Sequence, residues 1–315
     1  MSFMEIKDLR VHYPIRGGFF NTIVDHVHAV DGINMEFDKG KTYGLVGESG
    51  CGKSTTGKAI IGLEKITSGK IIYEGKDVTN QRRQRNSSYN RDIQMIFQDA
   101  HSSINQRKRV QDILAEPIRN FLNLSDLEEK RKINELLAIV GMPEDAKVKY
   151  PHEFSGGQKQ RIGIARAIAT NPKLIIADEP VSALDLSVQA QVLNFLKDIQ
   201  AELGLSYLFI SHDLGVVKHM CDHISIMYKG RFVESGSKKD IYQSPQHIYT
   251  KRLLSAIPTI EPASRVERKV ERINVEKNYQ IENHQYFDAN GRVYDLQSIS
   301  DTHAVAKTVN KEGVM

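Results

Sequence analysis

Residues 47–54 read Gly47-Glu48-Ser49-Gly50-Cys51-Gly52-Lys53-Ser54, and Thr55 follows. Glycine stands first and sixth, lysine seventh and serine eighth, which is the spacing of a phosphate-cradling P-loop. Glycines let the backbone curl until its N–H groups converge on one anion, and the helix that follows adds the positive end of its dipole. Lys53 would reach the β- and γ-phosphates of a nucleotide, and the Ser54 hydroxyl would ligate Mg²⁺. Thr42 to Val46 upstream is a short apolar strand, and the pattern from Lys53 to about Leu63 is helical. Strand, glycine loop and helix therefore occur in the order this chemistry needs.

A second element follows downstream. Leu174-Ile175-Ile176-Ala177 is an apolar strand that ends in Asp178-Glu179. Burial of the apolar residues would fix Asp178 at the carboxyl edge of a sheet, where α/β proteins place their ligands. Asp178 would hold the metal, and Glu179 would orient or deprotonate an attacking water. From Lys173 onward strands and helices alternate: strand to 177, helix 187–203, strand 207–210, helix 214–220 and a hairpin 224–233 that turns at Lys229-Gly230. Such alternation predicts a mainly parallel sheet with helices on its faces. The first 40 residues read as β-rich, and about 100–168 as an inserted helical lobe broken by Ser125, Gly141, Pro143 and Pro151. Residues 261–315 are charged and irregular; Val266, Val270, Ile273 and Val275 are too sparse to mark a helix face, so no fold is predicted for them.

Composition narrows the classes. In 315 residues the 43 lysines and arginines exceed the 39 acidic residues by only four, too small a balance to imply nucleic-acid binding. Cys51 and Cys221, the two cysteines, form no metal-spaced cluster and no disulfide framework, which suits a cytoplasmic chain. No stretch approaches the 18 or so apolar residues of a membrane span, and the charged start does not read as a signal peptide. Any membrane role would then require docking onto another chain. Cys51 sits within the P-loop beside a helix N-terminus, where a thiol's pKa can fall, and a tolerated small residue without thiol chemistry is the equal alternative. His12, His26, His28, His101 and His152 lack metal-ligand spacing and read as surface or loop residues. Arg82, Arg83 and Arg85, like Arg107, Lys108 and Arg109, read as solvated faces.

Phe154-Ser155-Gly156-Gly157-Gln158 resembles the signature segment of the ATP-binding cassette family, with Phe154 where leucine is usual. Physically it is a serine-capped helix start open to phosphate. Ser182-Ala183-Leu184-Asp185 resembles that family's D-loop, Ser211-His212-Asp213 its switch histidine, and Gln98 its Q-loop glutamine. The resemblance covers roughly residues 3–258. It implies a P-loop NTPase (RecA-like) core, an N-terminal antiparallel β subdomain, a helical subdomain at about 100–168, and a C-terminal extension from 259. It further implies ATP and Mg²⁺ as ligands, with Gln98 beside the metal and His212 at the γ-phosphate. Two domains would pair head to tail, so that Ser155, Gly157 and Gln158 meet ATP held by the partner's P-loop. Tyr13 would stack on adenine.

Gln94 to Asp99 continuing through Arg107, and Ser244 to Pro258, resemble the ATPases of oligopeptide and dipeptide permeases. That resemblance implies a homologous, non-identical ATPase partner, two membrane permease subunits and an extracytoplasmic solute-binding protein, with the chain at the cytoplasmic face of the membrane. Nickel or metal-chelate import is the alternative solute class. A cassette ATPase acting on DNA or ribosomes is the alternative outside transport, but the long coiled-coil insertion and the second cassette of such proteins do not appear here.

Overall fold

A computed structural model describes residues 2–80, 87–99, 103–182, 184–257 and 265–307. Arg82, Arg83, Arg85, Ala100, His101, Ala183 and Pro258 lie outside the described residues. Two sheets organise the chain. β1 (Ser2–Gly17) and β2 (Thr22–Asp38) form a long antiparallel ribbon, joined by β4 (Ser68–Tyr73) and β5 (Lys76–Asp77) in the order β2-β1-β4-β5. The larger sheet runs β11-β12-β10-β9-β3-β8-β7-β6. Its strands are β3 (Thr42–Val46), β6 (Ile93–Ile96), β7 (Leu174–Asp178), β8 (Ser206–Ser211), β9 (His223–Tyr228), β10 (Arg231–Ser237), β11 (Leu296–Ser298) and β12 (Ala304–Ala306). From β9 to β6 all neighbours are parallel, and β10, β12 and β11 extend the β9 edge antiparallel.

The parallel strands are apolar on both faces because both faces are covered. In β7, Leu174 and Ile176 join the core shared with the antiparallel sheet, while Ile175 and Ala177 join the core on the opposite side. In β8 the same alternation sends Leu208 and Ile210 one way, Tyr207 and Phe209 the other. Helix α1 (Lys53–Ile60) follows β3 and packs over β8. A short α2 (Ser88–Asp92) leads into β6. The helical lobe contains α3 (Val110–Phe121), α4 (Asp126–Ile139) and α5 (Gly156–Ile168). α3 buries Val110, Ile113, Leu114 and Ile118, the i, i+3, i+4, i+8 stripe of a core-facing helix. α6 (Leu186–Leu203) and α7 (Leu214–Met220) complete the alternation, and α8 (Lys238–Gln243) and α9 (Ile248–Ser255) follow β10.

Beyond residue 264 the structure departs from the sequence reading. α10 (Arg265–Glu282) is a regular helix, and β11 and β12 pair onto β10, with Glu234 opposite Val305 and Ser235 opposite Ala304. Helical spacing failed as a signal here because Val270 and Ile273 point to solvent at 53% and 58% exposure. The helix docks instead through buried Tyr279 and the Glu276–Arg252 ion pair, contacts that exist only once α9 is beside it. A buried hydrogen bond closes the strand addition: His303 Nε2 lies 2.7 Å from Glu234 Oε1, whose carboxylate also accepts the backbone N–H groups of Gln246 and His247.

Asp31 ties the two sheets and the C-terminal segment together. Its carboxylate meets Arg292 Nε at 2.8 Å, Arg10 Nη1 at 3.2 Å and Arg231 Nη1 at 3.3 Å. Burial alone would raise its pKa, but Arg292 and Arg231 hold it below the ordinary carboxylate value. Breaking a buried ion pair from one side leaves uncompensated charge, so Asp31→Asn is expected to cost about 3–5 kcal/mol in chemical unfolding. A depressed folded pKa stabilises above the unfolded value and is lost as pH falls through the folded one. The gap between wild type and Asp31→Asn should therefore close below about pH 4.

In the same region His12 departs from the surface-or-loop expectation, whereas His28 is exposed as expected, although on a strand. They are cross-strand partners in β1 and β2, their rings stacked at 4.0 Å, with the His12 ring largely covered. With Asp31 their ligand atoms fall within 4.8 Å of one another. Three guanidiniums already occupy the carboxylate that a cation would need.

Candidate functional site

The P-loop runs from the end of β3 to the start of α1, and two of its glycines are dictated by close approach. A Cβ on Gly52, which sits at φ 110°, would lie 2.0 Å from the Ala29 carbonyl oxygen; one on Gly47 would lie 2.2 Å from that of Met227. Neither position admits a side chain. The loop is clasped further by the Gly230 N–H, which donates to the Cys51 carbonyl at 2.9 Å.

The loop curls around Lys53. Its buried ammonium donates to the carbonyl oxygens of Gly47 and Glu48 at 2.8 and 2.9 Å. The Ser54 hydroxyl donates to Asp178 Oδ1 at 2.8 Å, so the two metal-ligand expectations meet although 124 residues separate them. Burial, reinforced by the charge of Glu179, raises the Asp178 pKa against the Ser54 hydrogen bond and the lysines Lys58 and Lys53.

Glu179 stands one residue past β7 with φ 45°, a left-handed backbone that is unusual for a side chain of this size. Such strain recurs at functional positions. Gln98 Nε2 donates to Glu179 Oε2 at 3.0 Å, and His212 Nδ1 lies 3.1 Å from Oε1. Three expected residues, brought from the ends of β6, β7 and β8, thus meet at one carboxylate. They line a cavity of about 850 Å³ together with Ser49, Lys53 and Thr55 of the P-loop.

Other expectations fall elsewhere. Ser155, Gly157 and Gln158 do not line this cavity. Ser155 Oγ accepts the Gln158 N–H while Gln158 Oε1 accepts the Ser155 N–H, a reciprocal cap on α5, with Ser155 and Gln158 exposed. Tyr13 is also not part of the lining: its hydroxyl bonds to Glu64 and Thr55, and its strand partner Val27 and the adjacent His28 line the cavity instead. Of the two readings of Cys51, the structure favours the packed residue: its side chain is buried, and burial pushes the thiol pKa up against the pull of Lys53. Sequence reading missed Ala29, Lys229, Gly230 and Leu253 in the lining. The Lys229-Gly230 turn was visible, but nothing local indicated that it faces the P-loop.

Residues 30–182 match the ABC transporter family, and residues 233–287 match the oligopeptide/dipeptide transporter C-terminal region. The oligopeptide transport ATP-binding protein OppF of Lactococcus lactis subsp. lactis is 56% identical over 99% of this chain and 98% of its own length. The dipeptide transport ATP-binding protein DppF of Escherichia coli is 47% identical over 84% of this chain and 79% of its own. A dimeric post-hydrolysis ATP-binding cassette, MJ0796 bound to ADP and Pi, superposes with a TM-score of 0.64 at 25% identity, covering 75% of this chain and 98% of that one. The chain belongs to the ABC transporter ATP-binding proteins. It is an ATPase with the α/β cassette fold, and none of its described helices is long and apolar enough to cross a membrane.

Proposed function

We propose that this ATPase powers the import of oligopeptides or dipeptides, working as one of a pair with a homologous ATPase beneath two permease subunits supplied by an extracytoplasmic binding protein. The observation that carries the catalytic part is the convergence of Lys53, Ser54 and Gln98–Glu179–His212 on one cavity, with Asp178 hydrogen-bonded to Ser54. The peptide assignment is supported by the names and full-length similarity of the relatives and by the matched C-terminal region. On this reading the chain works at the cytoplasmic face of the membrane.

Mg²⁺ fits the residues present. Ser54 and Asp178 offer hard oxygen donors 2.8 Å apart, and the burial that raises the Asp178 pKa marks a place where negative charge is costly without a cation. Bound there, the ion would neutralise phosphate charge. The chain's own groups do the rest: P-loop amides and Lys53 take the phosphates, Glu179 takes a proton from water, and Gln98 and His212 hold that carboxylate in place. Ser155 and Gln158, exposed at a capped helix start with Gly157 half-buried between them, would meet the nucleotide of the paired ATPase. The ribbon of Tyr13 and Val27 would take the base.

We assign the permease to the groove of about 610 Å³ lined by Ile61, Leu63, Phe97 and Phe121. Phe97 adjoins Gln98, so an occupant pressing on the groove acts on the residue that grips Glu179. The test is reconstitution. Proteoliposomes holding the chains that co-purify from solubilised membranes should take up labelled oligopeptide with Mg-ATP and not without it. Co-purification without a permease, or uptake indifferent to Mg-ATP, would end this reading.

A further inference from the structure

Glu48, second in the P-loop, is touched twice by α9. Its N–H donates to the Tyr249 hydroxyl at 3.2 Å, and its carboxylate lies 3.6 Å from Arg252 Nη1. Tyr249 is buried, its ring 4.7 Å from that of Tyr228, which precedes the cavity-lining Lys229 and Gly230. Arg252 is held in turn by α10: its Nε donates to Glu276 Oε2 at 2.8 Å, and its guanidinium lies 4.6 Å from the centre of the Tyr279 ring. The Gly47–Glu48 peptide steadied in this way carries the Gly47 carbonyl, which, with the carbonyl of Glu48 itself, accepts from Lys53. A continuous line of contacts therefore runs from the C-terminal helix to the phosphate-binding amine.

We propose that Tyr249, Arg252 and Glu276 are positioning residues for the P-loop, through which α10 sets nucleotide affinity. The inference rests on the nucleotide-binding role of that loop. A surface ion pair alone is worth little. Here the guanidinium is also stacked on an aromatic ring and shared between two carboxylates, and a loop already held in its binding shape loses less ordering entropy when the nucleotide arrives. Neither Arg252 nor Glu276 lines the cavity, so the effect belongs in KM rather than kcat.

The experiment uses the full-length chain, alone for binding and in its transporter assembly for turnover, with a fluorescent N-methylanthraniloyl ATP and Mg²⁺ as probe. Arg252→Ala and the near-isosteric Glu276→Gln are each expected to raise the nucleotide Kd about 5-fold or more. KM should rise in parallel while kcat stays within about twofold. Because Glu276 acts through Arg252, the double variant should match Arg252→Ala alone rather than add to it. Arg252→Lys, which keeps charge without the planar fork, should recover part of the affinity. An unchanged Kd for a folded Glu276→Gln, or fully additive losses in the double variant, overturns the proposal. If Arg252→Ala fails to fold, Glu276→Gln and Tyr249→Phe decide it by the same Kd measurement. A wild-type chain with no ATP affinity would instead remove the nucleotide-binding reading on which this one stands.

Discussion

Glu179→Gln is expected to lower ATP turnover about 10²–10⁴-fold while ATP still binds, because the change removes a proton acceptor and almost nothing else. The amide has the shape of the carboxylate, its oxygen can still accept from Gln98 Nε2, and the backbone at φ 45° is held by the Glu179 N–H donating to the Ile210 carbonyl. Lys53 and the Ser54–Asp178 pair are untouched. Phosphate release from the assembled transporter measures the loss, and retention of radiolabelled ATP measures the binding that remains. A paired assembly that cannot hydrolyse should accumulate in its ATP-bound, closed form. Turnover near wild type would remove Glu179 from the chemistry and leave it as a ligand-facing strut.

Lys53→Ala acts at the earlier step. A charge-assisted hydrogen bond is worth roughly 1.5–3 kcal/mol, which converts to about 10- to 150-fold weaker ATP binding for one lost contact. Two further consequences point the same way. The carbonyls of Gly47 and Glu48 lose their buried donor, and the loop loses the group around which it curls. Titration with the same fluorescent nucleotide should show the loss at constant Mg²⁺, with thermal unfolding confirming that the variant is folded. Affinity within a factor of two of wild type would mean that the backbone amides alone carry the phosphates.

The order in which these residues come together explains why so much could be read in advance. A P-loop is legible because its pattern is contiguous: Gly47, Gly52, Lys53 and Ser54 fall within eight residues, although the backbone that excludes a Cβ at the two glycines comes from Met227 and Ala29. Asp178 and Glu179 were legible for a related reason, since an apolar run ending in two carboxylates defines a strand and its carboxyl edge together. Residues 265–307 were not legible. Val270, Ile273 and Ile281 of α10 are exposed, and β11 and β12 are three residues each, so their order depends on partners far away in the chain.

What the sequence determined by itself was the kind of chemistry: a glycine-rich loop, a following lysine and hydroxyl, and paired carboxylates at a strand end require only short-range stereochemistry to state their purpose. Tertiary structure decided where that chemistry is assembled and what restrains it. The sheet brings Gln98, Glu179 and His212 to one point, burial packs the Cys51 side chain, and α9 and α10 grip the P-loop at Glu48. Each of these depends on contacts between residues tens to hundreds of positions apart. Such contacts come from the packing of whole elements, and local periodicity does not record them.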